Sequence, residues 1–164
     1  MTDRRFHLAQ VNIALAREPL DSPLLADFVA ALAPINALAD AAAGFVWRLQ
    51  GDDGDSTAIR GFDDDRIVVN MSTWESLETL ASYVFKPGHA AVMRERRKWF
   101  IPMQEAYMAL WWVPAGHRPT VREAEERVAH LRAHGPRAFA FTFKHPFPAP
   151  GASAPSPLDE TCPT

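Results

Sequence analysis

The sequence predicts an α+β fold in which helices cover one face of a β-sheet. Segments with the period of strands and segments with the period of helices follow one another in the order β-α-β-β-α-α-β-α-β. This order lacks the strict alternation of strand and helix that is typical of a parallel sheet. A chain of 164 residues fits one domain with a single hydrophobic core.

The N-terminal part predicts a strand followed by a helix with a break. Phe6–Ala14 alternates apolar and polar side chains, as a strand with two different faces does. Ser22 precedes Pro23–Ala33, which has apolar residues at helical spacing, so Ser22 is the expected N-cap. Pro34 should kink or restart the helix, which then continues over Asn36–Ala43.

The next part predicts two strands separated by an acidic, turn-rich loop. In the strand Phe45–Gln50, Phe45 and Trp47 are expected on the same face because side chains alternate along a strand. Arg66–Ser72 is the following strand. The six aspartates of the loop between them lack the ordered spacing of a calcium-binding loop, so the loop is predicted to be an exposed turn.

Two helices are predicted after these strands. Ser72 lies three residues before Glu75, which is the spacing of a capping box, and apolar residues follow at helical spacing as far as Val84. Pro87 then opens a second helix that extends to Phe100. This helix carries a histidine, several basic residues and two aromatic residues.

The C-terminal part predicts strand, helix, strand and tail. Ala106–Val113 is an aromatic-rich strand, and Thr120 caps a helix that ends at Gly135. Ala138–Lys144 is predicted as the last strand, with its phenylalanines on one face. Residues 1–145 are therefore the predicted domain, and residues 146–164 a proline-rich tail that is extended or disordered.

A sheet with helices on one face leaves its other face uncovered. That face is expected to carry Trp47 or Trp111 together with a row of phenylalanines. Monomeric proteins rarely expose so large an apolar patch. The sequence therefore predicts that the sheet packs against that of a second copy, which closes a barrel across a two-fold axis.

Composition and charge exclude several classes of function. The net charge of −3 gives no electrostatic basis for binding nucleic acid or an anionic membrane. No apolar run approaches the roughly 20 residues of a membrane span, and the N-terminus does not have the order of a signal peptide. Cys162 is the single cysteine, so an internal disulfide is impossible. We therefore expect a cytoplasmic protein.

Several runs carry a resemblance to a known family: GFVWRLQ, NMSTWESLETLASYVF, RRKWF and ALWWVPAGHRPTVREAEERVAHLRAHGP. Over Phe6–Pro150 the chain resembles an uncharacterised bacterial family, a domain of unknown function in the dimeric α/β-barrel superfamily. That superfamily includes antibiotic-biosynthesis monooxygenase-like proteins. The resemblance implies a ferredoxin-like antiparallel sheet and a dimeric barrel. It implies no single reaction, because the superfamily includes cofactor-free monooxygenases, haem-binding enzymes, isomerases and ligand binders.

The helix that begins at Pro87 holds the candidate catalytic residues. At helical spacing, one face carries His89, Met93, Arg96, Trp99 and Phe100, and the opposite face is charged and solvated. His89 lies in the first turn, where the helix dipole favours a neutral imidazole that can act as a general acid or base. Arg96 lies within the apolar stripe, where a carboxylate, a backbone carbonyl, a stacked tryptophan or an anionic ligand must satisfy its charge.

Polar residues within predicted strands complete the candidate site. Gln10, Asn12 and Asn70 each lie between apolar neighbours, so they either line a pocket or bind water at an edge. In the first case they would donate hydrogen bonds to a substrate oxygen. Met93, Trp99 and Phe100 would then supply the apolar wall of that pocket.

The sequence leaves three functional hypotheses. The leading one is a homodimer that binds a small apolar or aromatic molecule and acts as a cofactor-independent, monooxygenase-like oxidoreductase, with His89 as acid or base and Arg96 polarising a substrate oxygen. The second is a haem protein with His89 as axial ligand. The third is a non-catalytic binding or dimerisation module. No second histidine lies three or four residues from His89, and no nucleotide, hydrolase or zinc motif is present.

Overall fold

The computed structural model describes residues 5–52, 54–57 and 59–152. A short 3-10 turn, Pro23–Leu25, precedes the first α-helix. The strands and helices in chain order are β1 Phe6–Ala16, α1 Ala26–Asp40, β2 Phe45–Arg48, β3 Ile67–Trp74, α2 Leu77–Val84, α3 Pro87–Trp99, β4 Phe100–Ile101, β5 Met108–Pro114 and α4 Val121–His134.

All strand pairs in the described sheet are antiparallel. β1 is central and pairs with β3 on one side, and with β4 and β5 on the other, while β2 pairs with the outer edge of β3. The predicted α+β class with a ferredoxin-like antiparallel sheet is thereby confirmed. Because β1 has neighbours on both sides along most of its length, its side chains define two faces of the sheet.

Helices lie on both faces, which corrects one part of the prediction. Leu8, Gln10 and Asn12 point to the three-helix face, which α1, α2 and α3 cover. Ala9, Val11 and Ile13 point to the α4 face, where residues of α4 pack on the sheet. The α4 residues in that cluster are Ala124, Val128 and Leu131. The sequence could not assign a helix to a face, because an amphipathic stripe fits either side.

The α4 helix changes the expectation of a large uncovered apolar face. Trp111, which was expected on that face, is completely buried within a single chain. Trp47 is only partly buried and packs at the border of the same cluster. The sheet therefore needs no second copy to remove Trp111 from water.

A β-bulge in β2 changes the predicted alternation. The register of β2 against β3 shifts between Phe45 and Trp47. As a result Phe45 packs edge-on against Trp74 on the three-helix face, with ring centroids 5.5 Å apart, whereas Trp47 joins the α4 face. The prediction that both residues share one face was wrong, because a bulge adds one residue to the strand.

The capping box of α2 is formed by residues four positions later than predicted. Ser72 lies inside β3, and Ser76 is the N-cap. The Ser76 hydroxyl accepts a hydrogen bond from the Thr79 backbone N–H at 3.1 Å, and the Thr79 hydroxyl accepts one from the Ser76 N–H at 3.2 Å. Cross-strand pairing with β1 keeps the segment up to Trp74 extended, and this pairing is absent from local sequence signals.

The first helix continues through its proline. Pro34 lies inside α1, so the helix does not restart there, and Ser22 makes no side-chain cap. Pro23–Asp40 is long and apolar enough, by length and composition, to cross a membrane. Core helices of soluble proteins meet the same test, and this helix packs against α3. Several of its apolar side chains nevertheless face solvent, among them Leu24, Val29 and Leu38.

The segment Ala138–Lys144 is not a strand. It touches the sheet through one bridge between Leu110 and Phe141, which exchange backbone hydrogen bonds of 2.8 and 2.9 Å. A tight turn between Arg137 and Ala140 places Phe139 at the surface, away from the buried Phe141. Alternating phenylalanines predicted a strand here, but the turn takes up the residues that would form a ladder.

C-terminal to this turn, Phe147 packs on Phe141, and the predicted tail after residue 152 lies outside the described residues.

Candidate functional site

Four polar side chains form a continuous band on the three-helix face. Gln10 and Asn12 of β1 lie opposite Ser72 and Asn70 of β3 in the antiparallel register. At one end of this polar band is an apolar cluster around Leu8 and Trp74. At the other end is a second cluster around Ala16 and Val68. The band therefore interrupts the apolar packing between helices and sheet.

Gln10 organises the band. It is 7% exposed, and its Nε2 group donates hydrogen bonds to the Asn70 Oδ1 at 2.9 Å and to the Ser72 Oγ at 2.8 Å. A buried amide requires such partners, because an unpaired polar group loses its hydrogen bonds to water. Gln10 thus links the two polar residues of β3 and fixes their relative orientation.

Asn70 is the open member of the band. It belongs to a strand with neighbours on both sides, yet its side chain is exposed. Its carbonyl oxygen faces Gln10, so its Nδ2 amide group, which has no hydrogen-bond partner among the described residues, is available to a ligand. Asn12 lies directly across the strand pair from Asn70 and is half-buried. Gln10, Asn12 and Asn70 therefore lie close together on one face, and their role in binding a substrate stays a prediction.

An aromatic stack adjoins the band. The Trp74 Nε1 group donates to the Ser72 Oγ at 2.8 Å, and the Trp74 ring stacks on Tyr83 with centroids 5.1 Å apart and an interplanar angle of 25°. Tyr83 in turn contacts the His89 ring at 5.1 Å. Burial, followed by the nearby Asp40 charge, raises the pKa of Tyr83 to about 12, so its hydroxyl stays protonated. The contacting rings of Trp74, Tyr83 and His89 connect the polar band to the start of α3.

His89 is half-buried at the outer end of this stack. Its Nδ1 lies 3.1 Å from the Val84 carbonyl oxygen, which can only accept a hydrogen bond, so Nδ1 carries the proton. Burial lowers the pKa of His89, and the hydrogen bond to Val84 partly opposes that shift. The lowered pKa favours the neutral imidazole, whose Nε2 keeps a free lone pair.

Arg96 lies about two turns of α3 away from His89. Its guanidinium carbon is 4.9 Å from the centroid of the Tyr107 ring, a cation–π contact at the start of β5. Seven residues separate Arg96 from His89, which is about 10 Å along a helix axis. No carboxylate within the described residues pairs with Arg96. The sequence predicted a salt bridge or a stacked tryptophan for this cation, and its aromatic partner is instead the tyrosine Tyr107.

The predicted apolar wall divides between different surroundings. Trp99 and Phe100 are buried together with Phe28, whose ring lies 5.6 and 4.8 Å from theirs. Phe100 belongs to β4 rather than to the helix. Met93 is half-buried on α3. Trp99 and Phe100 therefore fill the core near the end of β1, and the aromatic residues next to the polar band are the buried Trp74 and Tyr83.

Sequence reasoning missed Ser72 and Trp74 as site residues. Ser72 was predicted as the end of a strand and as a helix cap, and Trp74 as part of the helix, although Asn70, Ser72 and Trp74 recur at every second position. In a strand that spacing puts three side chains on one face. The predicted strand already placed Ser72 on the same face as Asn70, and extending it by two residues would have added Trp74.

Two surface cavities lie elsewhere on the molecule. One of about 230 Å³ lies between α1 and the loop after β2, next to the Asp40–Arg48 ion pair of 2.8 Å. The other, of about 460 Å³, lies between residues 19–21 and the loop residues 57–66. None of the predicted site residues lines either cavity. Within the described residues, no group of three histidine, cysteine or acidic side chains could hold a metal ion.

Comparison with known protein families identifies the chain. Residues 7–157 match the sequence profile of DUF3291, a domain of unknown function. The chain belongs to the DUF3291 family. The predicted membership of an uncharacterised family is thereby confirmed. A comparison of the DUF3291 chain with curated proteins found no match.

Solved structures similar to this DUF3291 chain include oxygenases. SnoaB from Streptomyces nogalater, a cofactor-independent oxygenase, is 17% identical with a TM-score of 0.45, covering 70% of this chain and 96% of its own. A candidate antibiotic biosynthesis monooxygenase from Nitrosomonas europaea is 12% identical with a TM-score of 0.45, over 71% and 94% of the two chains. A conserved protein from Methanosarcina mazei is 5% identical with a TM-score of 0.49, over 68% and 94%.

Proposed function

We propose that this DUF3291 protein binds a small aromatic molecule through a carbonyl, enol or phenol oxygen at the polar band. The observation that carries the proposal is the fixed amide of Asn70. Gln10 occupies its oxygen, so two N–H donors face the open side of a central strand. An exposed asparagine held in one orientation by a buried glutamine is suited to bind an acceptor oxygen.

The surroundings of the band favour an aromatic ligand. The Trp74–Tyr83 stack adjoins the hydrogen-bonding groups, and an apolar cluster lies at each end of the band. A planar molecule with one oxygen can place that oxygen on Asn70 and its ring against apolar surface. The four band residues carry no titratable group, so they bind and orient a ligand without supplying a base.

The enzymatic form of the proposal is a monooxygenase-like reaction that needs no bound cofactor. A suitable substrate has an acidic CH₂ group between aromatic rings, because its carbanion can reduce dioxygen directly. Anthrone is such a molecule: anthrone plus O₂ gives anthraquinone plus water, and the atoms balance. In this reaction the donors of Asn70 would stabilise the enolate oxygen, which carries the charge after the carbon proton leaves.

Binding of 1-naphthol, measured by calorimetry, tests the site. Asn70→Ala should weaken binding about fivefold to tenfold, which corresponds to the loss of one neutral hydrogen bond. Asn36→Ala is the matched control, because Asn36 lines the separate cavity beside α1. Equal affinity of the wild type and Asn70→Ala would exclude the band as the binding site.

The enzymatic form of the proposal is tested by the rate of oxygen uptake with anthrone, without added cofactor. A rate no faster than that in buffer alone would exclude it.

His89 and Arg96 keep their proposed roles as acid–base group and oxygen-polarising group. The Nε2 lone pair of His89 and the absence of a described carboxylate beside Arg96 are compatible with these roles. The double variant His89→Gln, Arg96→Lys should lower anthrone turnover without abolishing 1-naphthol binding. Unchanged turnover would remove both residues from the mechanism.

Haem ligation by His89 is the competing proposal. Its support is the Nδ1 contact with Val84, because a backbone partner on one ring nitrogen directs the other towards a metal. The contact of the His89 ring with Tyr83 opposes it, since haem needs open space in front of that nitrogen. Haemin titration decides: a Soret band that His89→Ala changes would support haem, and a spectrum insensitive to this substitution would exclude it.

The proposal also includes a homodimer in the cytoplasm. Leu24, Val29 and Leu38 are exposed apolar residues on or next to α1, and such side chains commonly lie in protein contacts. Light scattering after size-exclusion chromatography should give twice the mass of one chain. A chain that remains monomeric at micromolar concentration would exclude the dimer and leave the binding site within one chain.

A further inference from the structure

We infer that the Ser72 hydroxyl is a second hydrogen-bond donor of the site, and that the site prefers an ionised phenol or enol oxygen to a neutral one. This inference rests on the proposed function, because it concerns the same polar band. It assigns a role to a residue that local sequence signals placed at a helix cap.

The hydrogen bonds of Ser72 carry the argument. A serine hydroxyl has two lone pairs and one proton. The Ser72 Oγ accepts one bond from Gln10 Nε2 and one from Trp74 Nε1, each 2.8 Å long. Both lone pairs are therefore occupied, and the proton points in the remaining tetrahedral direction. The described residues provide no acceptor for it.

Burial makes this free proton significant. Ser72 is 6% exposed and lies next to the exposed Asn70 on the same face of β3, so its O–H is within reach of a ligand bound at Asn70. A buried donor without a partner is destabilising, and native proteins retain one where a ligand or an ordered water molecule completes the bond. The structure therefore has an unused donor at the inner side of the polar band.

The direction of this donor is fixed by its neighbours. Trp74 is completely buried and stacked on Tyr83, so its Nε1–H cannot turn away from Ser72. Gln10 is held by two hydrogen bonds. A hydroxyl that accepts from two immobile donors cannot rotate without breaking one bond. Ser72 is therefore preorganised as a donor before the ligand arrives.

Asn70 and Ser72 act on the same ligand atom in this proposal. They are two residues apart on one strand, so their side chains are neighbours on the three-helix face. Gln10 bonds both, and leaves the Asn70 amide N–H groups and the Ser72 O–H free to donate. Two fixed donors stabilise an oxygen with a full negative charge more strongly than a neutral oxygen. The ligand class that follows is an acidic phenol or an enolisable aromatic ketone.

A chromogenic phenol provides the test, since 4-nitrophenol changes its visible absorbance when it ionises. The wild-type protein should bind the phenolate about tenfold more tightly than the phenol, which lowers the pKa of the bound probe by about one unit. Ser72→Ala should lose most of this shift. Ser72→Thr, which keeps the hydroxyl, should retain it. Circular dichroism and thermal melting verify that each variant is folded.

A second variant guards against misfolding of Ser72→Ala. Ser72→Cys keeps the size of the side chain and replaces the hydroxyl with a weak donor, so it should reduce the shift without a large change in packing. A full wild-type shift in a folded Ser72→Ala or Ser72→Cys protein would overturn the inference and leave the proposed binding site intact.

The remaining outcomes separate the two proposals. If the wild type binds neither form of 4-nitrophenol, and no 1-naphthol, the proposed function itself fails. If the wild type prefers benzylammonium to the phenolate, the band presents acceptors to the ligand. That result would mean that the Gln10 amide takes the opposite orientation and receives the Ser72 proton, and it would overturn the inference.

Discussion

The indole Nε1 group of Trp111 donates a hydrogen bond to the Glu123 Oε1 at 3.1 Å, and this bond joins the sheet to α4. The other carboxylate oxygen, Oε2, lies 2.8 Å from the His117 Nε2. Burial opposes ionisation of Glu123, but the hydrogen bonds from His117 and Trp111 outweigh it and lower the pKa of Glu123. The Glu123 side chain thus connects α4 to the sheet, on the face that the sequence predicted to be uncovered.

Replacing Glu123 should weaken the packing of α4 on the sheet and lower the free energy of unfolding. Glu123→Ala leaves the N–H of the fully buried Trp111 without an acceptor, which costs about 1–3 kcal/mol of the free energy of unfolding. Glu126→Ala is the control, because Glu126 forms only an exposed pair with Arg122 at 3.7 Å. Urea denaturation measures both. Equal stability of the two variants would show that the Trp111 bond does not hold α4.

Gly44 should tolerate no side chain. Its φ of +81° suits glycine, and a Cβ atom there would collide with the side chain of Thr79. Gly116 has a similar φ of +88° with open space around it, so Gly116→Ala measures the backbone strain alone. Gly44→Ala should lower the melting temperature more than Gly116→Ala, by several degrees. Equal melting temperatures would mean that Thr79 moves aside without loss of packing.

Gln10 should determine which atom of Asn70 faces the ligand. In Gln10→Glu the carboxylate only accepts hydrogen bonds, so Asn70 should turn its amide N–H towards residue 10 and its oxygen outwards. Binding of 4-nitrophenolate should then fall at least tenfold, and binding of benzylammonium should rise. Gln50→Glu is the control for added charge, since Gln50 is exposed after β2. Unchanged preference in Gln10→Glu would show that Asn70 is oriented by other contacts.

His89 should make stability depend on pH. Its pKa in the folded protein lies below the usual 6.5, because burial disfavours the charged ring. Between the two pKa values the unfolded chain binds more protons, so stability rises with pH in that window. The stabilisation due to His89 is fully present above about pH 6.5, the usual pKa of the unfolded chain. It is lost as the pH falls through the lower pKa that His89 has in the folded protein. Guanidinium midpoints of the wild type and His89→Gln between pH 5 and 8 test this: the variant should have the flatter profile. A wild-type profile as flat as that of the variant would contradict the burial of His89.

Predictions from the sequence were correct where neighbouring residues alone decide the structure. Pro87 begins α3 as expected, and Thr120 caps α4 by accepting a bond from the Glu123 N–H at 3.1 Å. The α+β class followed from hydrophobic periodicity, which reports burial within one element. Predictions failed where distant residues decide, as at Trp74, which was predicted in a helix and which pairing with β1 keeps in a strand.

The sequence by itself determined most of the helices and strands, the family and the choice of Gln10, Asn12 and Asn70 as candidate site residues. Those three were recognisable because polar side chains between apolar neighbours in a strand need an explanation. Tertiary structure alone decided that Gln10 bonds both Asn70 and Ser72, and that α4 lies opposite the other helices. The physical reason is that a hydrogen bond between side chains 60 or 62 residues apart depends on strand register, and register depends on the packing of the whole sheet.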